Sequence, residues 1–149
     1  ADRFKDLRRT SDVSEMIALY RGLPLYPSPE TMEFEVGEGL RPNIRAVFEA
    51  IAHDNPFPRD NFDEHRWNHM VLKALFVGSN LAPILGLRDR ANPELARILV
   101  DYAQERWAAG RPVTEELWIS VRPFQDDPAI ADQLIQAISK GHLNKEVLL

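Results

Sequence analysis

Two histidines stand four residues apart, at His65 and His69. On a helix this spacing places both rings on one side, where they can ligate one metal ion. The zinc-protease motif also needs a glutamate directly after the first histidine, and Arg66 stands there instead. A third ligand would have to come from Asp60, Asp63 or a more distant residue. We therefore interpret the histidines as surface or capping residues and predict no metal.

Lys73 interrupts an otherwise apolar run, Met70–Val77. A lysine on a buried helix must reach water, pair with a buried carboxylate, or have its pKa lowered by desolvation. A lowered pKa would make the amine a nucleophile or a base. The alternative is that Lys73 shares a polar helix edge with Arg66 and His69 and extends to solvent, and we favour this interpretation.

Two arginines, Arg88 and Arg90, precede Asn92 and Pro93. Backbone amides at the start of a helix, together with two guanidinium groups, can hold a carboxylate or a phosphate. The competing interpretation makes Asn92 an ordinary N-cap and pairs the arginines with Asp89 in the loop. We favour it, because capping alone explains the choice of asparagine.

Aromatic side chains offer flat surfaces to a ligand, but Trp67 and Trp107 fall on apolar helical faces, where core packing is the better interpretation. Trp118 is less committed to the core and can lie exposed. The chain has neither a phosphate-binding glycine loop nor a Gly-X-Ser-X-Gly elbow, so we predict no catalytic residue and no cofactor. The candidate ligand-binding residues are Trp67, Lys73, Arg88, Arg90, Asn92, Tyr102 and Arg106.

The chain has 149 residues, no cysteine and a formal net charge of −5. The lack of thiols excludes disulfides, thiolate metal sites and a cysteine nucleophile. The negative charge argues against a nucleic-acid-binding surface, and no apolar stretch is long enough to span a bilayer. The chain begins at Ala1 without a methionine or a signal segment. We therefore expect a fragment, an engineered chain or a processed product, located by default in the cytoplasm.

Eleven prolines divide the chain into segments, most of which carry a helical periodicity of apolar residues. The predicted helices cover 12–21, Ser28 to 36, 43–53, Asp60 or Asp63 to 77, 93–109, 115–121 and 128 to a stop at Gly141. The segment 115–121 is also compatible with a strand, and 142–149 is expected to fray. Leu72 and Phe76 give the fourth helix a second apolar side, so we predict that other elements nearly surround it.

Short helices with short connections, and almost no alternating apolar pattern, predict an all-α fold in a single domain, residues 1–149. Pairs of short helices separated by proline-rich turns are typical of stacked antiparallel pairs, either in a HEAT-like arrangement or in an irregular helical bundle. No repeat at a fixed spacing is present.

Four long strings of the sequence are specific enough to indicate a family, and they resemble the EboA family of metabolite-traffic proteins. The strings are Trp67–Phe76, Gly86–Arg97, Asp101–Pro112 and, upstream, Ala18–Pro27, within a likeness from about Asp12 to Phe124. The family has a glutamine where His69 stands and a histidine where Gln104 stands. This departure argues against a metal site built on His65 and His69.

The resemblance implies a bacterial gene cluster concerned with the traffic of a secondary metabolite. It implies proteins of the same cluster and a small organic metabolite as partners, further sequence before Ala1, and no catalytic residues. We therefore predict a non-enzymatic helical adaptor or binding protein that supports the traffic or processing of this metabolite, and not an integral membrane or nucleic-acid-binding protein. One alternative is a small enzyme acting through a helical cleft with Lys73 and Arg88 or Arg90. Another is a homodimer that buries Trp118 and the C-terminal helix.

Overall fold

The computed structural model describes Lys5 and residues 13–25, 32–40 and 44–149. Its α-helices are α1 (Val13–Arg21), α2 (Glu33–Gly39), α3 (Arg45–Ala52), α4 (Phe57–Asn61), α5 (Glu64–Phe76), α6 (Pro93–Ala108) and α7 (Pro128–Ser139). Short 3₁₀ helices cover Leu23–Leu25, Glu115–Ser120, Arg122–Phe124 and Lys145–Leu148. In these residues, strand-like pairing is limited to one antiparallel bridge between His53 and Ile84. The predicted all-α class is confirmed.

The chain forms two compact units, Ala1–Gly86 and Leu87–Leu149. Each unit is described by itself, and the single-domain organisation stays a prediction. Among the described helices, none is both long enough and apolar enough to cross a membrane. The predicted helix starts at residues 12, 28 and 43 lie outside the described residues.

In the first unit, α3 is the central packing element, because α1, α2 and α4 all contact it. Its buried side chains Val47, Phe48 and Ile51 recur at helical spacing, as expected for a helix with one face in the core. Helix α5 adds a second set of buried side chains to this unit. The largest fully buried residues here are Trp67, Tyr20, Phe48, Phe57, Leu23, Met32, Ile51, Met70 and Leu81.

In the second unit, α6 packs against α7 and against the 3₁₀ helix Glu115–Ser120. Asparagine and aspartate caps begin the two α-helices, and a glycine with positive φ follows each of them, at Gly110 and Gly141. The buried apolar residues are Leu87, Leu95, Ala96, Leu99, Val100, Ala103, Leu117, Trp118, Val121, Ile130, Leu134, Ala137, Leu143 and Leu148.

The predicted helix over 115–121 is present as the 3₁₀ helix Glu115–Ser120, and its alternative, a strand, is not formed. Three other local expectations differ from the structure. A short helix, α4, lies between the predicted helices 43–53 and Asp60 or Asp63 to 77, where none was predicted, because proline is tolerated in a first helical turn. Residues 142–149, expected to fray, form a 3₁₀ helix whose Leu148 carbonyl accepts a hydrogen bond from Gln125 at 2.9 Å. Trp118 is only 2% exposed, because Glu115–Ser120 turns it into the core of its own chain.

The prediction that other elements nearly surround the fourth helix is wrong at its C-terminal end. Phe76, on the second apolar side of α5, is 68% exposed. Helix α5 buries one face, with Trp67, Met70, Val71 and Ala74. On its second apolar side Leu72 is half-buried and Phe76 is exposed, and this side borders the candidate site.

Candidate functional site

A groove of about 730 Å³ lies within the first unit, along α5 and beside the C-terminal end of α2. This volume falls in the range of roughly 300–1,000 Å³ that is typical of small-molecule sites. Its lining residues are Gly37, Leu40, Asp63, His65, Arg66, His69, Met70, Leu72, Lys73, Phe76 and Val77. The groove therefore combines a charged and imidazole-bearing side with an apolar side.

Three of the polar lining residues form a row on α5. His65, His69 and Lys73 follow each other at intervals of four residues, so they share one face of the helix. The two imidazole rings are close, with centroids 4.2 Å apart and planes tilted by 42°. Both histidines are exposed, whereas Lys73 is half-buried. We call these three residues the basic row.

Lys73 connects the basic row to α2. Its ammonium donates a hydrogen bond to the carbonyl of Leu40, the C-cap residue of α2. This end of a helix attracts positive charge, because its last carbonyls carry partial negative charge. Partial burial lowers the pKa of Lys73, since desolvation disfavours the charged form. The sequence offered solvent, a buried carboxylate or desolvation for Lys73. The structure shows partial burial together with a backbone carbonyl as the partner, which the sequence did not offer.

Arg66 closes the other end of the groove. Its Nε lies 3.4 Å from the carboxylate of Glu33, which also accepts a hydrogen bond from the Asp63 backbone N–H at 3.1 Å. Asp63 in turn caps α5 by accepting from the Arg66 N–H at 2.8 Å. The guanidinium passes directly over Gly37, where a Cβ atom would lie 1.6 Å from Nη1. Glycine at this position therefore permits the close approach of Arg66 to α2.

The apolar side of the groove begins beside the basic row. Leu72 and Phe76 are four residues apart and share a face of α5, and Leu40, Met70 and Val77 extend the apolar lining. Met70 and Leu40 are buried, but Phe76 projects into solvent. Phe76 thus adds an exposed aromatic edge to the apolar lining of the groove.

The structure gives the two histidines no third metal-ligating partner among the described residues. No group of three or more histidine, cysteine, aspartate or glutamate side chains there is arranged to hold an ion. The rings of His65 and His69 are close enough to act together, but a two-residue set is incomplete for a structural zinc site. The absence of a metal stays a prediction.

The seven residues selected from the sequence are divided between the two units, and their grouping into one site stays a prediction. Lys73 lines the groove, whereas Trp67 is fully buried in the core of the first unit. The other five residues belong to the second unit: Arg88, Arg90, Asn92, Tyr102 and Arg106.

Asn92 and Arg106 have structural partners close to them in the chain. Asn92 caps α6, because its Oδ1 accepts from the Leu95 N–H at 2.9 Å. Arg106 donates from Nε to the Pro112 carbonyl at 3.1 Å and so holds the turn that follows α6. Arg88 is exposed, and Arg90 and Tyr102 are half-buried. The competing interpretation of Asn92 as an ordinary cap agrees with this geometry.

Most of the groove was not identified as a binding site from the sequence. His65 and His69 were considered only as metal ligands, and Leu72 and Phe76 only as core residues. A signal was present in the spacing, because residues 65, 69 and 73 form one helical row and residues 72 and 76 a neighbouring one. The spacing does not predict which of these rows is left exposed by the neighbouring helices.

The second unit contains a separate cavity of about 620 Å³, bordered by Trp107, Trp118 and His142. The ring of Trp107 is nearly parallel to both neighbours, with centroid distances of 6.1 Å to Trp118 and 5.4 Å to His142. These rings stack on one another, so part of their flat surface is already occupied by the protein itself. The groove in the first unit is the stronger candidate.

Comparison with known proteins gives one family. A family model described as "Metabolite traffic protein EboA" matches residues 2–122, most of the chain. The matched range contains the whole groove of the first unit. No curated protein and no solved structure matches the chain.

Proposed function

Because the chain belongs to the EboA family of metabolite-traffic proteins, it has a metabolite-related role. From this premise we propose that it is a non-enzymatic helical adaptor that binds a small organic metabolite of secondary metabolism and assists its traffic or processing. The observation that supports the proposal is the groove along α5, whose volume of about 730 Å³ suits a small molecule. Partner proteins of the same gene cluster and a cytoplasmic location are parts of this proposal.

A binding role suits the groove better than catalysis for a chemical reason. General acid–base or nucleophilic catalysis needs a reactive group together with a second group that activates or orients it. Lys73 is engaged with a backbone carbonyl, and the nearby Arg66 is paired with Glu33. Both cations therefore have structural partners and are suited to holding a ligand in place.

An enzymatic role is the second candidate, because partial burial lowers the pKa of Lys73 in the direction that a nucleophile or base requires. In this version Lys73 acts on a ligand that is bound in the groove of the first unit. Detectable turnover by the isolated protein, abolished by Lys73→Arg, would favour this candidate. Lys73→Arg keeps the positive charge but removes a deprotonatable amine.

Native mass spectrometry on protein purified from its own host tests the proposal, by comparing native and denatured masses. We expect a co-purified organic molecule of roughly a few hundred daltons, the size that such a groove accommodates. Phe76→Asp replaces the exposed aromatic edge of the groove with a negative charge and should remove the additional mass. Ile135→Asp introduces the same charge at an apolar residue that is 63% exposed on α7 and should retain it.

Two outcomes would contradict the proposal. If neither the unmodified chain nor Phe76→Asp carries an additional mass, the protein does not bind a metabolite as proposed. An additional mass that persists in Phe76→Asp would show that the molecule binds elsewhere.

A further inference from the structure

We propose that the groove along α5 accepts an anionic amphiphile. Its acidic head, a carboxylate, sulfonate or phosphate group, contacts the basic row, and its apolar or aromatic body lies along Leu72 and Phe76. The inference rests on the proposed function and deepens it by assigning the chemical class of the bound molecule.

The head group is placed by the charges of the groove. The basic row offers an ammonium at Lys73 and two imidazoles, each with at least one N–H donor in any protonation state. The acidic lining residue is Asp63, ten residues before Lys73, which is about 15 Å along the helix axis. This separation exceeds the Debye length of roughly 8 Å at physiological ionic strength, so Asp63 scarcely repels an anion at Lys73.

The second carboxylate near the groove is also distant from Lys73. Glu33 accepts from the Asp63 N–H and lies against Arg66, at the same end as Asp63. Two carboxylates and one guanidinium leave one net negative charge at the start of α5. The positive charge at the other end of the groove is the ammonium of Lys73.

The body of the ligand is placed by the apolar side. On a helix, residues 72 and 76 form a row adjacent to residues 69 and 73, so the apolar and basic rows run side by side along the groove. Phe76 is 68% exposed, and a bound molecule would cover a face that the fold leaves open. Two parallel rows of opposite chemistry match a molecule with one acidic end and one apolar body.

A single molecule fits this surface better than an anionic membrane does. The groove is concave, whereas a membrane-binding surface presents protruding apolar groups beside many cations. The chain as a whole carries a formal net charge of −5, which repels an extended anionic surface. Local contact between one anion and Lys73 avoids most of that repulsion.

A matched pair of fluorescent probes tests the head group. The sulfonate 1-anilinonaphthalene-8-sulfonate has the same aromatic body as the neutral N-phenyl-1-naphthylamine. We expect the sulfonate to bind at least about tenfold more tightly, an effect of one charge-assisted hydrogen bond. Lys73→Met should lower the affinity for the sulfonate by about tenfold and change the affinity for the neutral probe by less than about twofold. Lys145→Met makes the same change at an exposed lysine of the second unit and should alter neither affinity.

The apolar contact is tested by Phe76→Ser, which should weaken both probes, with Ile135→Ser as the matched exposed control. Circular dichroism of each variant verifies the fold. If neither probe binds, or if Phe76→Ser changes neither affinity, the groove is not the binding site and the proposed site fails. If Phe76→Ser weakens both probes but Lys73→Met changes neither, the groove binds molecules and the anionic class is overturned.

A vesicle arm distinguishes a free molecule from a lipid surface. Vesicles of phosphatidylcholine and phosphatidylglycerol in a 3:1 ratio should not co-sediment with the protein. They should also leave the sulfonate titration unchanged. Co-sedimentation that Lys73→Met and Phe76→Ser abolish would overturn the proposal in favour of a membrane surface.

Discussion

Asn55 joins three segments of the first unit through hydrogen bonds to the backbone. Its Nδ2 donates to the carbonyls of Tyr20, at 2.9 Å, and Ala50, at 3.2 Å, and its Oδ1 accepts from the Phe57 N–H at 3.0 Å. The side chain is only 4% exposed. In the sequence, this residue precedes Pro56 and indicates only a turn. Its contact with Tyr20 could not be predicted, because the partner lies 35 residues away.

We expect Asn55→Leu to lower the free energy of unfolding by about 3 kcal/mol, because buried backbone groups would lose their partners. Chemical denaturation measures this change. Asn61→Leu is the control, since Asn61 is half-buried and its amide donates one hydrogen bond, to the Phe57 carbonyl at 3.2 Å. A loss in Asn55→Leu no larger than in the control would contradict the assigned role.

Lys73 leads to a pH prediction, because burial lowers its pKa below the ordinary value of a lysine. Affinity for the sulfonate probe should fall as the pH rises through this lowered pKa, since the attracting ammonium loses its proton. The other charged groups at the groove are Asp63, Arg66 and the Glu33 that pairs with it. Carboxylates and imidazoles in general titrate at lower pH, and arginines in general stay protonated throughout this range.

Fluorescence titration between about pH 8 and pH 11 measures the effect, with the neutral probe as the control. The bound anion should raise the pKa of Lys73, because it favours the charged form. A sulfonate affinity that stays constant across this range would contradict the contact with Lys73.

At the scale of elements, helix starts and stops agree well with the local sequence. Asp63, Asn92 and Asp127 each accept a backbone N–H at the start of a helix. These caps act within two or three residues, so residue type and spacing are sufficient to predict them. The exposure of Leu72 and Phe76 on α5 cannot be predicted in this way, because neighbouring elements decide whether these side chains contact the core or solvent.

Asn92→Ala should lower the free energy of unfolding by about 1 kcal/mol, the usual contribution of an N-cap. Asn92→Asp retains an accepting oxygen at the start of α6 and should preserve most of the stability. Thermal or chemical unfolding measures both variants. If Asn92→Ala leaves the stability unchanged but abolishes metabolite binding, Asn92 binds the ligand, as considered from the sequence, and its capping role is contradicted.

At the scale of the whole molecule, each unit has a core of its own. Trp118 belongs to the core of the second unit, where its ring stacks near Trp107. The sequence left Trp118 available for a homodimer, but the single chain already covers it. Family membership spans both units as far as residue 122.

Trp118→Ala should destabilise the protein by roughly 3–5 kcal/mol, as expected when a large buried aromatic side chain is removed. Because domains are stable by only about 5–15 kcal/mol, the second unit should be partly unfolded at moderate temperature. Calorimetry or tryptophan fluorescence on heating measures this. Ile135→Ala, at an exposed residue of α7, should stay within about 0.5 kcal/mol of the unmodified chain. A similarly small effect of Trp118→Ala would contradict its place in the core.

The sequence by itself determined the all-α class, the family and most helix boundaries. The class and the boundaries depend on backbone hydrogen bonds, caps and glycine stops that act within a few residues. The family is indicated by long strings of residues that resemble it. Lys73 was also found from the sequence, since one charge stands out in an apolar run.

Only the tertiary structure decided which face of α5 stays open, that Gly37 admits Arg66, and that the carbonyl of Leu40 receives Lys73. Leu40 and Lys73 are 33 residues apart in the sequence, and Asp63 and Glu33, which share a hydrogen bond, are 30 residues apart. Such contacts depend on how separate helices pack, because burial is a property of the neighbours a side chain meets and not of its own position in the chain.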